Sequence, residues 1–306
     1  MAVVAEPIIH PFYETGTGTW QYLVADPGTK HAVIIDPVLN FDPAWNTIST
    51  QAADEILAKV ATEGYPVVAL LETHIHADHL SAAAYLRDRL QQSQSTIPEI
   101  CIGNISDMQN LFGAKYCVPK QEWALAFDSH YHDGDTFPIG DLVVEVMHLP
   151  GHTPDHLGYA IGRNVFTGDS IFNPDLGSAR CDFPKGSAVD LWNTMKRLLS
   201  LPEDYKLYTG HDYPPSDRDA GEGVGMPRSF ATVKEHKASN KHVKDGTTKS
   251  SFIDLRTTRD ATLKEPRLIN QALQFNIRGG QMPAVSQEGD RLVHIPLRIP
   301  SGFATA

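Results

Sequence analysis

The chain has few cysteines, no excess of basic residues and no long apolar run. Cys101, Cys117 and Cys181 are odd in number and far apart, which argues against a disulfide scaffold and against zinc held by Cys-x-x-Cys pairs, and fits a reducing compartment. The formal net charge is -11, so the chain lacks the basic footprint expected of a nucleic-acid-binding protein. No apolar run reaches the roughly 18 to 20 residues of a membrane span. We therefore expect a small-molecule substrate, with neither nucleic acid nor membrane as a partner.

The N-terminal residues 1–7 carry neither the basic, then apolar pattern of a secretory signal nor an arginine-rich amphipathic pattern. We therefore expect a cytoplasmic protein, with a mitochondrial location left open. The 306 residues are enough to bury a sizeable core, and no composition break demands a second domain. We expect one domain over 1–306, with its core at about 8–215 and a helical extension with a polar insertion at about 216–290. The oligomeric state is undecided, and a homodimer is left open.

Hydrophobic periodicity predicts strands and helices that alternate along the first 215 residues. The predicted strands lie at 20–25, 31–36, 66–71, 142–147, 157–161, 165–166 and 206–208. The predicted helices lie at 53–63, 81–91 and 189–200, and a C-terminal helix is expected within 261–277. A lysine-rich segment at 234–249 is interpreted as an exposed insertion.

One short segment concentrates potential metal ligands. His74, His76, Asp78 and His79 place three imidazoles and one carboxylate within six residues. The segment follows a predicted buried strand and precedes a predicted helix, and loops at strand ends commonly present catalytic groups. A polar turn, with Asp78 or Ser81 capping the next helix, is the alternative interpretation. The density of ligands favours a metal site.

Three further candidates lie in loops after predicted strands. His152, Asp169 and His211 each follow a glycine at such a position. Taken singly, each is typical of a hydrogen-bonded loop residue. Their shared context, a small residue and then His or Asp after a strand, favours ligands of the same metal site.

The order of these motifs resembles that of the metallo-β-lactamase superfamily over about residues 20–215. The motifs are His-x-His-x-Asp-His, then Gly-His-Thr, Gly-Asp and a final Gly-His. The resemblance implies an α+β fold of the αββα sandwich type. In such a fold two mixed β-sheets pack face to face, helices flank them, and the metal lies at one edge.

Within that superfamily the chain is similar to the persulfide dioxygenases. The likeness is carried by Thr73-His74-Ile75-His76-Ala77-Asp78-His79 and by Gly177-Ser178-Ala179-Arg180-Cys181-Asp182-Phe183, which resembles a Gly-x-x-Arg-x-Asp-Phe motif. His211-Asp212-Tyr213 and Pro266-Arg267-Leu268 also match. The chain departs from the family by extra residues near 92–130 and by a polar insertion near 238–260, both of which bear on the substrate pocket.

The resemblance implies one Fe(II) per chain, held by His74, His152 and Asp169. A triad of two histidines and one carboxylate leaves coordination positions open for a substrate sulfur and for dioxygen. The implied reaction converts glutathione persulfide, O2 and water into glutathione and sulfite. Four further residues would then orient ligands and bound water by hydrogen bonds. These are His76, Asp78, His79 and His211.

A dinuclear hydrolase is the alternative use of the same ligands. One metal would be held by His74, His76 and His152, a second by Asp78, His79 and His211, and Asp169 would bridge the two. Two zinc ions or a mixed pair would then activate a hydroxide for thioester hydrolysis, as in glyoxalase II-type enzymes. A non-catalytic metal-binding protein is disfavoured by the complete ligand set, and a nuclease by the acidic charge.

Three residues are candidates for substrate binding. Arg180 could pair with a glutathione carboxylate through its planar guanidinium, against the alternative of a surface salt bridge. Tyr213 could donate its hydroxyl to the substrate or could serve only in packing. Lys237 could add positive charge. Cys181 has no evident general base and is interpreted as a packed thiol.

Overall fold

The structure is a computed structural model that describes residues 6–218, 225–300 and 303, so the interpretation of residues 1–5 lies outside it. Its strands are β1 (Ile8–Glu14), β2 (Thr19–Ala25), β3 (Ala32–Ile35), β4 (Val38–Asp42), β5 (Thr47–Ser49), β6 (Val67–Leu71), β7 (Leu80–Ser81), β8 (Glu99–Gly103), β9 (Ser129–Tyr131), β10 (Thr136–Ile139), β11 (Leu142–His148), β12 (Leu157–Ile161), β13 (Asn164–Gly168), β14 (Lys206–Thr209) and β15 (Phe230–Thr232). Its α-helices are α1 (Gln51–Glu63), α2 (Ala83–Ser93), α3 (Ser106–Lys115), α4 (Ala188–Leu199), α5 (Val233–Ser239), α6 (Lys249–Asp260) and α7 (Ile269–Asn276).

Two six-stranded sheets form the centre of the molecule. The first has the order β1-β2-β3-β6-β8-β9, and its last three pairings are parallel. The second has the order β10-β11-β12-β13-β14-β15, with β13 and β14 parallel and the other neighbours antiparallel. A small sheet, β5-β4-β7, lies beside them. The predicted pair of mixed sheets is therefore confirmed.

Three apolar layers hold the two sheets and the helices together. Successive side chains of a strand point to opposite faces, so Tyr22 and Val24 pack between the sheets while Leu23 and Ala25 face the outer helices. Helices α1, α2, α3 and α7 cover the first sheet, and α4, α5 and α6 cover the second. This αββα arrangement is the predicted fold. Within the described ranges, no helix is both long and apolar enough to cross a membrane.

Most residues of the lysine-rich segment are exposed, as predicted, but the segment also has a buried face that the sequence did not indicate. It contains α5, which begins with a capping box in which Thr232 and Glu235 bond reciprocally. After α5 the chain buries Asn240, His242 and Val243. The lysines occupy the outward positions, so the count of lysines conceals a buried face.

A C-terminal helix lies within the predicted range of residues, and a second helix precedes it. Helix α7 spans only eight residues, whereas residues 249–260 form α6, for which no helix is predicted. The buried side chains of α6 are Phe252, Arg256 and Asp260, one every fourth residue. Two of these three are charged, so a search for apolar periodicity does not detect the buried stripe. Strand β8 and helix α3 were likewise not predicted from the sequence.

Two buried histidines in the α5 region should make stability depend on pH. Burial lowers the pKa of His236 to about 4, and burial together with the Arg256 charge lowers that of His242 to about 3. Between pH of about 6.5 and 4 the unfolded chain takes up protons that the folded chain does not. The stability contributed by each neutral histidine is therefore complete above pH of about 6.5 and is lost as the pH falls.

We expect each histidine to contribute roughly 1–2 kcal/mol to the loss of unfolding free energy between pH 7 and pH 5. Urea unfolding of chelator-treated protein at the two pH values measures this loss. Because other groups also titrate, the informative quantity is the difference between wild type and His242→Gln. The variant should lose less stability than the wild type, and an equal loss would contradict the assignment.

Candidate metal centre and its cavity

The predicted ligands converge at one edge of the two sheets. The segment from His74 to His79 follows β6, and His152, Asp169 and His211 follow β11, β13 and β14. Because β13 and β14 are parallel, their carboxyl ends lie at the same edge. Gly168, with φ of +46°, precedes Asp169, and a Cβ there would lie 2.5 Å from the Thr73 Oγ.

Buried carboxylates fix the backbone of the histidine loop. Asp36 accepts hydrogen bonds from the backbone N–H and the hydroxyl of Thr73, at 2.7 and 2.8 Å. Asp155 accepts from the Ile75 N–H at 2.9 Å. All four residues are buried. The backbone of the loop is therefore anchored at Thr73 and at Ile75. The side chain of His74, between them, faces the site.

Helix α7 holds the same loop from the other side. The Asn276 side-chain amide donates to the carbonyl oxygens of His76 (2.8 Å) and His79 (2.9 Å). Its side-chain oxygen accepts from the Ser81 N–H at 2.9 Å. Sequence reasoning missed this residue, because an asparagine in a C-terminal helix gives no local sign of a contact so distant in the chain.

One set of three ligands is formed by His74, His152 and Asp169, whose ligand atoms all lie within 4.8 Å of one another. The His152 Nδ1–H donates to the Arg180 carbonyl at 2.8 Å, which leaves Nε2 3.7 Å from an Asp169 oxygen. The His74 Nε2 and the Asp169 Oδ1 are buried without a hydrogen-bond partner among the described residues. Such unpaired buried atoms are rare unless a ligand completes them, so the set fits a divalent metal ion.

A second set lies beside the first. Ligand atoms of His76, Asp78 and His79 also lie within 4.8 Å of one another. The His211 Nε2 lies 3.0 Å from Asp78 Oδ2 and 3.4 Å from Asp169 Oδ1. In the described part of the chain, the His76 Nδ1 and the His79 Nε2 have no hydrogen-bond partner. The predicted ligands are thus all brought together, with Asp169 between the sets.

His76 also belongs to a buried cluster that sequence reasoning missed. Its Nε2 lies 3.0 Å from an Asp36 oxygen and 3.4 Å from a Glu72 oxygen. Burial by itself would lower the pKa of His76, but the Asp36 carboxylate raises it well above the usual value. Burial also raises the pKa of Glu72, which accepts a short hydrogen bond from Ser81. The two carboxylates fix the orientation of the His76 ring.

The two ligand sets differ in electrostatic character. Burial lowers the pKa of His74 well below its usual value, which favours the neutral imidazole that a metal requires. Burial would also lower the pKa of His211, but the carboxylates of Asp169 and Asp78 raise it to about 9. Burial would raise the pKa of Asp78, whereas His211 holds it well below the usual range. In the metal-free protein, Asp78 and His211 therefore form an ion pair.

His156 is a further buried histidine that the sequence did not single out. Its ring stacks on that of His74, with centroids 4.6 Å apart and an interplanar angle of 19°. Its Nε2 accepts from the Asp169 backbone N–H at 3.0 Å. His156 therefore supports two members of the first ligand set. Its position four residues after His152 is the one local sign of this role.

A cavity of about 590 Å³ opens onto His152, Asp169, Asp78 and His211. Its walls carry far more basic side chains than a chain of net charge -11 suggests. The basic residues that line it are Lys115, Arg180, Lys241, Arg256, Arg259 and Arg267.

The three predicted substrate-binding residues lie in different environments. Arg180 lines the cavity, but its guanidinium makes two 2.5 Å hydrogen bonds to Asp182 and one to the Lys264 carbonyl. Tyr213 lines the cavity with its ring parallel to that of His211, centroids 5.9 Å apart. Lys237 is not among the residues that line the cavity. Lys241, four residues later, occupies its wall instead.

A sandwich of two mixed sheets with histidine and aspartate loops at one edge defines a class of metalloproteins, and the family model described as "Metallo-beta-lactamase superfamily" matches residues 15–211. The chain belongs to this superfamily. It is 41% identical to "Glyoxylase B2" of Dictyostelium discoideum, over 94% of this chain and 96% of that protein.

The predicted likeness to persulfide dioxygenases is confirmed at lower identity. The chain is 27% identical to "Persulfide dioxygenase ETHE1, mitochondrial" of Homo sapiens, over 89% of each protein. The crystal structure of ETHE1 from Myxococcus xanthus superposes with a TM-score of 0.69 at 29% identity, covering 90% of this chain and all of that one. These comparisons establish a metalloenzyme superfamily and leave the metal and the reaction to be argued from the site.

Proposed function

We propose that the chain is a mononuclear iron persulfide dioxygenase. The reaction takes glutathione persulfide, O2 and one water to glutathione, sulfite and two protons, so the outer sulfur is oxidised while the dioxygen is reduced. The observation that carries the proposal is the set formed by His74, His152 and Asp169, two histidine nitrogen donors and one aspartate oxygen that lie within 4.8 Å of one another. Likeness to ETHE1 proteins in sequence and in fold supports it.

Bound ferrous iron would supply coordination positions at which a persulfide sulfur and dioxygen meet. The chain's own residues supply the geometry. The hydrogen bond from His152 to the Arg180 carbonyl fixes the tautomer that leaves Nε2 available. Asp78 lies 3.0 Å from the His211 Nε2 and 3.5 Å from the His79 Nδ1. In this proposal it orients these neighbours and bound water and does not bind the metal.

The cavity favours an anionic substrate. Lys241, Arg259 and Arg267 line it and form no salt bridge with any carboxylate of the described residues. Its other acidic wall residues outside the metal centre are engaged, since Asp182 pairs with Arg180 and Glu265 pairs with Arg298. Free cations beside a metal centre suit a thiol carrier that bears carboxylates, and glutathione is such a carrier.

We expect Lys241→Gln and Arg259→Gln each to raise KM for glutathione persulfide about tenfold with little change in kcat. Each cation contributes to binding in the ground state and in the transition state alike, and a partly screened charged contact of roughly 1.4 kcal/mol corresponds to a factor of ten. Steady-state oxygen uptake measures both constants. Lys234→Gln, an exposed lysine of α5 outside the cavity, is the matched control. An unchanged KM in both cavity variants would contradict an anionic substrate here.

A dinuclear thioester hydrolase is the second candidate. The unpaired His76 Nδ1 and His79 Nε2 beside Asp78 favour it, because they offer ligands for a second ion. His76 then belongs to the second ion, whereas the dinuclear hypothesis from the sequence assigns it to the first. The 41% identity to a protein named "Glyoxylase B2" adds support. In that case Asp169, which lies between the two ligand sets, would bridge the ions.

The deciding experiment is metal analysis of anaerobically purified protein, combined with two activity assays. The proposal expects about one iron per chain and oxygen uptake that depends on glutathione persulfide. It also expects no more than trace hydrolysis of S-lactoylglutathione. Two metals per chain, with thioester hydrolysis and no oxygen uptake, would instead establish the hydrolase.

A further inference from the structure

Arg256 and Asp260 form a buried ion pair whose bonds all point toward one cavity loop. The two residues lie one turn apart on α6, are 2% and 6% exposed, and make a 2.6 Å contact through Arg256 Nη2 and Asp260 Oδ1. The pair lies on the face of α6 that begins with Phe252, whose ring packs in the core beneath the second sheet. Phe252 thus fixes the first turn of α6 in the core, and Arg256 and Asp260 in its later turns reach the loop at residues 178–181.

The pair contacts the peptide groups on either side of Arg180. Arg256 Nη1 donates to the carbonyl oxygens of Ser178 (3.0 Å) and Ala179 (2.8 Å). Asp260 Oδ2 accepts from the Cys181 N–H at 2.8 Å. Arg256 therefore holds the peptide group before Arg180, and Asp260 holds the peptide group after it, which contains both the Cys181 N–H and the Arg180 carbonyl.

The carbonyl held between these contacts is the one that accepts from His152 Nδ1–H at 2.8 Å. Partners that hydrogen-bond the distal nitrogen of a ligand histidine set its tautomer and orientation. The Arg180 side chain is engaged elsewhere, with Asp182 and with the Lys264 carbonyl, so its own bonds do not replace the clamp on its peptide group.

We propose that Arg256 and Asp260 are positioning residues for His152, acting through the Arg180 carbonyl. The clamp keeps the proton of His152 on Nδ1 and directs Nε2 toward Asp169. This inference rests on the proposed metal centre but not on which metal fills it or which reaction follows. It also assigns a role to the segment after residue 230. This segment lines the cavity and, through Arg256 and Asp260, holds the loop that orients His152.

The test uses the full chain with Arg256→Met and Asp260→Leu combined. Replacing a buried pair by apolar residues of similar volume is often tolerated by the fold, whereas removing one partner is costly. We expect the Cys181 amide to exchange hydrogen faster and the His152 Nδ1–H signal in ¹⁵N spectra of metal-free protein to weaken. Anaerobic titration with Fe(II) should give an affinity about 10- to 100-fold lower.

Arg278→Met is the matched control. Arg278 is also a buried arginine, paired with Glu122 at 2.8 Å and bonded to the Gln274 carbonyl, but it contacts no part of the His152 loop. This variant should lose stability and keep both the His152 signal and the Fe(II) affinity. If the two variants lower Fe(II) affinity equally, the effect is general loosening and the proposal fails.

Two milder variants keep the question answerable should the double variant not fold. Arg256→Lys retains the charge but not the fork that reaches two carbonyls, and Asp260→Asn retains one acceptor oxygen. Each should shift the His152 signal and Fe(II) affinity in the same direction, by a few-fold. A wild-type His152 signal and wild-type affinity in a folded variant whose Cys181 amide exchanges rapidly would overturn the proposal. These readouts need no persulfide. If the activity assays showed a hydrolase, the test of the role of Arg256 and Asp260 would therefore still be valid.

Discussion

His152→Ala is expected to abolish stoichiometric iron binding and to lower kcat/KM for glutathione persulfide by about 10³-fold or more. The substitution removes one of only two nitrogen donors in the set formed with His74 and Asp169. A metal ion that stabilises developing charge contributes several kcal/mol to catalysis, and roughly 4 kcal/mol corresponds to a factor of about 10³. Metal content by elemental analysis and oxygen uptake on the same preparation are the two measurements.

His148→Ala is the control for this prediction. His148 precedes the same loop and bonds the Pro154 carbonyl through Nε2, but its side chain is exposed and belongs to neither ligand set. It should retain iron and activity close to wild type. A His152→Ala protein that is folded and still holds one iron per chain would show that the metal is bound elsewhere.

Asp78→Ala is expected to leave one iron per chain while changing the rate of oxygen uptake. In the mononuclear proposal Asp78 orients His79 and His211 and binds no metal, so its removal alters the surroundings of the iron without removing a ligand. In a dinuclear hydrolase the same change should remove the second ion and leave one metal where there were two. The metal count of wild type and variant, measured side by side, separates the two mechanisms.

The comparison with His152→Ala makes the Asp78 result interpretable. Loss of all metal in both variants would place Asp78 among the ligands and contradict the division between the two sets. Retention of iron in Asp78→Ala with loss in His152→Ala would support it. Because Asp78 and His211 form an ion pair in the metal-free protein, thermal unfolding of the metal-free variant is needed to separate stability from metal binding.

The positions of the ligands along the chain could be predicted from the sequence, and so could the fold that presents them. His74, His76, Asp78 and His79 are neighbours in sequence, and His152, Asp169 and His211 each follow a strand with a clear apolar pattern. Both kinds of information are local, because a cluster of ligands is visible in the sequence itself and strands are predicted from short-range periodicity. The pairing of two mixed sheets does not follow from periodicity; it is what the resemblance of the ligand motifs to the metallo-β-lactamase superfamily implies.

The three-dimensional contacts were needed to show which nitrogen of each histidine is available and which partner holds the ring. Asp36 meets Thr73 and His76, and Asn276 meets the backbone of the histidine loop. Partners so far apart in sequence leave no shared pattern, since a single buried carboxylate or amide has no periodicity.

The three-dimensional structure also changed which charged residues of the C-terminal part are assigned to the cavity and to the interior. Lys241 lines the cavity where Lys237 does not, because Lys241 follows the end of α5 and its backbone N–H bonds to the Pro174 carbonyl. Arg256 and Asp260 are buried, where they pair with each other and bond to the loop beside His152. Composition alone assigns charged side chains to the surface, and only packing shows which of them are paired inside.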